Sequence, residues 1–228
     1  MDSSTLEGIS LYQRQSVSRI FSESHSTKEA VRLTVLDAHE WFDQLRQKFR
    51  TVQNIACKEG CAWCCRQRVS ITPAEVFLIA WFIEENLSAG LQRNRVMMDT
   101  ALRWQVEDRL DSPSRFATGV PCPFLDEESK LCLIHAVRPF SCRWYESMDE
   151  TACKIPALEN SSDLIIPHDP RVQTLAGAVE QGVLLGLGDQ GLSGGLLVMT
   201  GALTDFWNTE KSFEIWTEGG RPFIKSQV

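Results

Sequence analysis

Hydrophobic residues recur along this chain mostly at three- and four-residue intervals, the period of helices that bury one face. Ser26-Thr-Lys-Glu29 reads as a capping box. Behind it Val31, Val35, Trp41, Phe42, Leu45, Phe49 and Val52 keep near-helical spacing, so an amphipathic helix should run on into a cysteine-rich stretch. Thr72-Pro73-Ala-Glu75 repeats the start signal, with proline at the first helical position. The run behind it, Val76 to Ile83, is apolar on every side and predicts a centrally buried helix. After Gly90 a more polar helix is expected from about Leu91 to Leu110, with Val96, Leu102, Val106 and Leu110 inward and Asp111-Ser-Pro113 closing it. Asp169-Pro170 opens a further helix, and Gly186 to Gly195 reads as a glycine-rich connector. Ser193 is placed to cap a helix running to about Trp207, and a short helical piece is expected from Lys211 to Trp216. No repeat and no run of alternating strands is visible, so the fold class is mainly α.

The same pattern divides the chain. Residues 1–25 are serine-rich with scattered apolar positions (Leu6, Ile9, Val17, Ile20, Phe21), which predicts a flexible or loosely docked N-terminal arm. Residues 26–168 hold every cysteine, the later ones in a loop-rich stretch. Residues 169–228 read as a C-terminal helical extension packing on the same domain.

Composition narrows the function. An apolar fraction of 43% fills a core without disulfides. A net charge of −7 argues against a surface that tracks phosphates, so no nucleic-acid partner is expected. The N-terminus lacks the basic segment and apolar run of a secretory signal. The tract from Gly182 to Leu203 is interrupted by Asp189 and glycines, so neither a membrane span nor a membrane partner is expected. A cytoplasmic location follows as an expectation. There, clustered cysteines point to metal binding or catalysis rather than structural disulfides.

All eight cysteines fall between Cys57 and Cys153. Four crowd into Cys57-Lys-Glu-Gly-Cys61-Ala-Trp-Cys64-Cys65, and Cys122, Cys132, Cys142 and Cys153 follow at longer intervals. Thiolates gathered this way bind soft metal ions or iron–sulfur clusters, and all eight are candidate ligands. The C-x3-C-x2-C spacing of the first three is that of radical S-adenosylmethionine enzymes, but no strand–helix rhythm accompanies it. Adjacent Cys64 and Cys65 should point in different directions. One site, or two neighbouring ones, is therefore expected from both cysteine sets, with Cys122, Cys132 and Cys142 closing over the first loop. Cys153 stands furthest from any tight motif. The domain is thus expected as a compact helical unit organised around a cysteine-ligated metal site.

Arg138 and Arg143 flank Cys142 and are candidate cofactor-binding residues, donating to cluster sulfurs or an anion if they do not merely lock the loop. Trp63 would shield the site, whereas Trp41 and Trp81 read as core. His135 lies at a spacing from Cys132 that permits a ligand role, while His25, His39 and His168 read as surface residues. No Ser/His/Asp set or paired-carboxylate motif marks a catalytic centre.

Several of these segments carry a resemblance. Cys57 to Cys65, Ile71-Thr-Pro-Ala-Glu75, Pro121-Cys122-Pro-Phe-Leu125, Cys132-Leu-Ile134 and Arg138-Pro-Phe-Ser-Cys142-Arg143 together resemble the YkgJ-type cysteine-cluster family, a zinc- or iron-chelating domain with a CxxCxxCC-like motif. His135 stands where that family more often has tyrosine. A related group, the flagellin lysine N-methylases, is similar in its cysteine motif. The resemblance implies an iron–sulfur cluster (of the [4Fe–4S] kind) or zinc, serving redox or protein methyl-transfer chemistry on a protein substrate or partner. S-adenosylmethionine is compatible with that, although no motif supports it. The alternatives are a non-catalytic zinc-stabilised scaffold for protein interaction and a thiol–disulfide switch at Cys64–Cys65.

Overall fold

A computed structural model describes residues 1–87, 90–109, 120–159, 165–192, 194–224 and 226. The chain is mainly α, in the order α1 (Ser3–Glu23), α2 (Thr27–Phe49), β1 (Ser70–Ile71), α3 (Pro73–Asn86), α4 (Leu91–Glu107), α5 (Phe140–Arg143), α6 (Glu150–Glu159), α7 (Pro170–Asp189), β2 (Leu197–Val198), α8 (Met199–Asn208) and α9 (Ser212–Thr217). No helix among the described residues is long and apolar enough to cross a membrane. The inward position expected for Leu110, the helix stop at Asp111-Ser-Pro113 and the cap at Ser193 lie outside the described residues.

Helix α3 is the hub. Its residues from Pro73 to Trp81 and Ile83 are buried, as an apolar run without a polar face requires. Thr72 and Glu75 close the capping box. Around Phe77 gather the rings of Trp81, Phe206, Phe213, Trp216 and Phe223, at centroid distances of 5.0–5.9 Å. The C-terminal segment is thus fastened to the hub by aromatic packing. Trp41, expected in the core, is only half-buried, with its ring 4.9 Å from that of Tyr12.

Residues 1–25 were expected to be flexible or loosely docked, yet residues 3–23 form one helix seated closely on α7. Two glycines explain the close approach. A Cβ on Gly182 would stand 2.5 Å from the Ser10 carbonyl oxygen, and one on Gly186 would stand 2.6 Å from Val17 Cβ. Gly186 and Gly188 therefore belong to α7 and not to a connector, which begins only after Asp189. The predicted glycine-rich loop is shortened accordingly.

Two further differences shape the site. Helix α2 ends at Phe49, and residues 51–58 run on without regular structure to the first cysteines. Asp169 caps α7 and also accepts from Thr51 N (2.7 Å), Thr51 Oγ1 (2.9 Å) and Val52 N (3.2 Å), so polar capping fixes this segment where helix was expected. Helix α4 is rotated relative to expectation. Val96 is buried, but Leu102 and Val106 are exposed, while Thr100, Arg103, Trp104 and Glu107 face inward. Helix α6, which gave no sequence signal because Pro156 lies inside it, packs against the cysteine loop.

Candidate metal centre

The first cysteine segment is a string of tight turns. Gly60 takes a left-handed φ of 80°, which lets Cys61 N donate back to the Lys58 carbonyl. Residues Trp63–Arg66 then form one 3-10 turn. Trp63 Nε1 donates to Glu150 at the start of α6, and Lys58 pairs with the same carboxylate. Trp63 does not line the cysteine cavity. Its indole is used to anchor the turn on α6.

The second segment is held from several sides. Cys132 sits on a tight loop closed by Asp126 N to Leu131 O and Leu133 N to Phe124 O, with Lys130 left-handed at its tip. Cys142 lies in α5, which three contacts pin in place. Phe140 N donates to Glu75 Oε1 (2.8 Å), Ser141 Oγ donates to the Ser70 carbonyl (2.6 Å), and Arg143 Nη1 donates to Asp43 Oδ2 (2.9 Å).

Both segments face one cavity of about 670 Å³. Cys57, Cys61, Cys64 and Cys65 line it from one segment, and Cys122, Cys132 and Cys142 from the other. Cys64 and Cys65 do not diverge as adjacent residues were expected to. The 3-10 turn brings both to the cavity, where Cys65 donates to the Cys64 sulfur and holds the Cys64 thiol below its ordinary pKa. That same shared proton, with burial, pushes Cys65 up. Burial first, and the neighbouring thiols after it, raise Cys142 well above the usual thiol range and Cys122 to about 11. No disulfide joins any of the eight.

Cys153 is carried by a different element. It is buried on α6 outside the cavity lining, which the other seven cysteines share, yet it lies near enough to Cys57, Cys61 and Cys64 to feel their charge. Its thiol is pushed up to about 11 by burial. The two arginines also separate. Arg138 lines the cavity, and its buried Nε has no hydrogen-bond partner. Arg143 turns the other way, to Asp43 and to the carbonyls of Arg138 and Ala136, and locks the loop. Its candidacy as a cofactor-binding residue is withdrawn on that geometry. Apolar walls complete the cavity through Val69, Phe124, Ile134 and Met199. Met199 arrives because β2 pairs antiparallel with β1, Ser70 opposite Val198.

Of the histidines, His135 lies exposed at the cavity rim and His25 on the surface. His168 is half-buried, bonded to Ile166 O and Gln173. His39, expected at the surface, is 2% exposed, with Nε2 3.7 Å from Glu75 Oε1 and its ring edge-on to Phe140. Burial lowers its pKa, so it stays neutral near pH 7.

The family comparison matches this same stretch. Residues 56–161 fit the CxxCxxCC family, described as a "Putative zinc- or iron-chelating domain". The likeness covers somewhat less than half of the chain. No curated protein and no solved structure matches the chain. The family description supports metal binding, of zinc or iron, and the matched segment supplies every residue of the cavity lining except Met199.

The donor set of the cavity fits that description, since thiolates suit zinc and iron–sulfur iron alike. Among the described residues, no three of the His, Cys, Asp and Glu side chains already stand close enough to hold one ion. Thiols that take up a metal must give up their protons, which makes binding depend on pH.

Sequence reasoning missed one residue that shapes the site. Arg103 is 2% exposed and bonds through Nε to Glu107 Oε1 (2.9 Å). Its Nη1 donates to the carbonyls of Cys65 (3.3 Å) and Val120 (2.8 Å), and its Nη2 to that of Gln67. Glu107 in turn accepts from Thr200 Oγ1 on α8. An Arg–Glu pair at i,i+4 was readable from the sequence, but that spacing marks exposed helix faces at least as often as buried ones.

Proposed function

We propose that the cavity holds an iron–sulfur cluster of the [4Fe–4S] kind, ligated from both cysteine segments, and that the protein is a redox carrier. Seven thiols around one cavity of about 670 Å³ carry this reading. A closed structural zinc site takes four ligands and little space beyond them. A volume in the range of small-molecule pockets suits a larger inorganic group better. Such a cluster supplies one-electron chemistry when bound. The protein's own contribution is to supply thiolates from two segments, to place the Arg138 cation beside them, and to exclude water with Val69, Phe124, Ile134 and Met199. Cys142, pinned by α2, α3 and β1, would be a fixed ligand, and Cys57 is tied across the segments through Ser147 N, which donates to its sulfur at 3.3 Å.

Anaerobic purification tests the reading. A brown protein with iron and acid-labile sulfide is expected. A colourless protein with stoichiometric zinc would overturn the cluster and leave the zinc-stabilised scaffold. Within either outcome, Cys142→Ser should lower metal content, and Cys153→Ser should leave it close to wild type.

A further inference from the structure

A backbone hydrogen bond joins the two cysteine segments at the cavity: Cys122 N donates to the Cys65 carbonyl at 2.6 Å. That carbonyl also accepts from Arg103 Nη1. The same nitrogen reaches the Val120 carbonyl, two residues before Cys122, and the other terminal nitrogen reaches the Gln67 carbonyl, two residues after Cys65. One guanidinium thus grips the backbone on both sides of the junction. Its own orientation is fixed by Glu107, which Thr200 holds from α8. Arg103 does not line the cavity, so it acts on the cysteines through their backbone.

The chemistry of the group matters here. A guanidinium is planar and offers five N–H donors in a rigid fork, which lets it bind three carbonyls and a carboxylate at once. Lysine keeps the charge but cannot span those acceptors. We infer that Arg103 is a positioning residue for the metal centre, setting the Cys65 and Cys122 sulfurs in register before any metal arrives. This rests on the reading that the cavity binds metal. It adds that the junction of Cys65 and Cys122 is prebuilt by one side chain that lies outside the cavity.

Cobalt(II) binding under anaerobic conditions tests it, because the sulfur-to-cobalt charge-transfer absorption reports how many thiolates bind. The variants are Arg103→Lys and the milder Glu107→Gln, with Gly182→Ala as a destabilised control remote from the cavity. All are measured well below their melting temperatures. Arg103→Lys should weaken cobalt binding about 10- to 100-fold, the range of outer-shell effects on metal affinity. It should also lower the charge-transfer intensity per bound cobalt. Glu107→Gln should shift both in the same direction by less, which keeps the test open if Arg103→Lys fails to fold. Gly182→Ala should leave both unchanged despite its own loss of stability. Wild-type intensity and affinity in Arg103→Lys, or in Glu107→Gln where that is the variant available, would overturn the inference. So would losses that merely track melting temperature in all variants, control included. If wild-type protein binds no cobalt, zinc or iron, it is the metal-site reading that fails.

Discussion

Replacing Glu75 by glutamine removes a single oxygen acceptor from the middle of the molecule. Glu75 is 1% exposed and accepts three hydrogen bonds from beyond its own backbone: Phe140 N on Oε1 (2.8 Å), and Thr72 N (2.8 Å) and Thr72 Oγ1 (3.0 Å) on Oε2. It closes the capping box of α3 and pins the first residue of α5, two positions before Cys142. Glutamine keeps the shape but offers one oxygen and one NH2. If the oxygen stays on Phe140, the amide nitrogen faces Thr72 N and leaves that donor unsatisfied. If it turns, Phe140 N is the orphan. Either arrangement strands one buried backbone N–H, at about 1–3 kcal/mol. The remaining bonds also lose their carboxylate acceptor, which adds about 1 kcal/mol, since bonds to charged groups are worth roughly twice neutral ones. The total of about 2–4 kcal/mol corresponds to a drop in Tm of roughly 4–16 °C for a chain of this size. Thermal melting by circular dichroism gives the first measurement and metal content of the folded variant the second. Both should fall, because α5 loses its tie to α3. A Tm within about 1 °C of wild type with full metal content would refute the assignment of Glu75 as the pin of the Cys142 helix.

Four other outcomes are expected. Gly177→Ala, at an exposed position of α7 with open space around the new methyl group, should stabilise by about 0.4–1 kcal/mol. Gly182→Ala in the same helix should instead destabilise by about 1–3 kcal/mol, because the methyl group meets the Ser10 carbonyl; equal effects in paired melts would refute the α1–α7 seat. Burial, with Glu75 nearby, raises the Glu180 pKa from 4.5 to about 8. The folded state therefore keeps a proton that the unfolded chain has lost, and stability falls as pH rises from about 4.5 through about 8. Glu180→Gln should remove that decline, and denaturant midpoints with the same pH slope as wild type would count against it. Finally, removal of bound metal by a strong chelator should lower the Tm, since a ligand that binds only the folded state stabilises it; an unchanged Tm would mean that metal binding and folding are uncoupled.

How much of this was legible in the sequence depends on which force shaped each part. Helix α3 could be read because apolar burial leaves its mark on every residue from Val76 to Ile83, and because Thr72 and Glu75 cap it locally. The seat of α1 could not, since Leu6, Ile9, Val17 and Phe21 show a sparse apolar face and the decisive partners, Gly182 and Gly186, lie far along the chain. Glycines that admit a neighbouring helix look, in sequence, like glycines that break one. The gathering of the cysteines was legible as a grouping of residue type. Which of them line one cavity was not, because Cys153 and Cys142 differ only in the elements that carry them.

Helix α4 shows the limit most directly. Its apolar spacing put Leu102 and Val106 inward, and a hydrophobic count favours that face. The structure buries Arg103 and Glu107 instead. Burying an ion pair costs several kcal/mol per charge unless further hydrogen bonds complete it, so such a face needs a reason from outside the helix. The reason lies in the cysteine loops. Irregular segments carry carbonyls that no helix or sheet satisfies, and three of these, at Cys65, Gln67 and Val120, converge on one guanidinium. The polar interior of α4 is thus a consequence of bringing two irregular cysteine segments into the protein's interior. A helix that served only the hydrophobic core would have had no use for it.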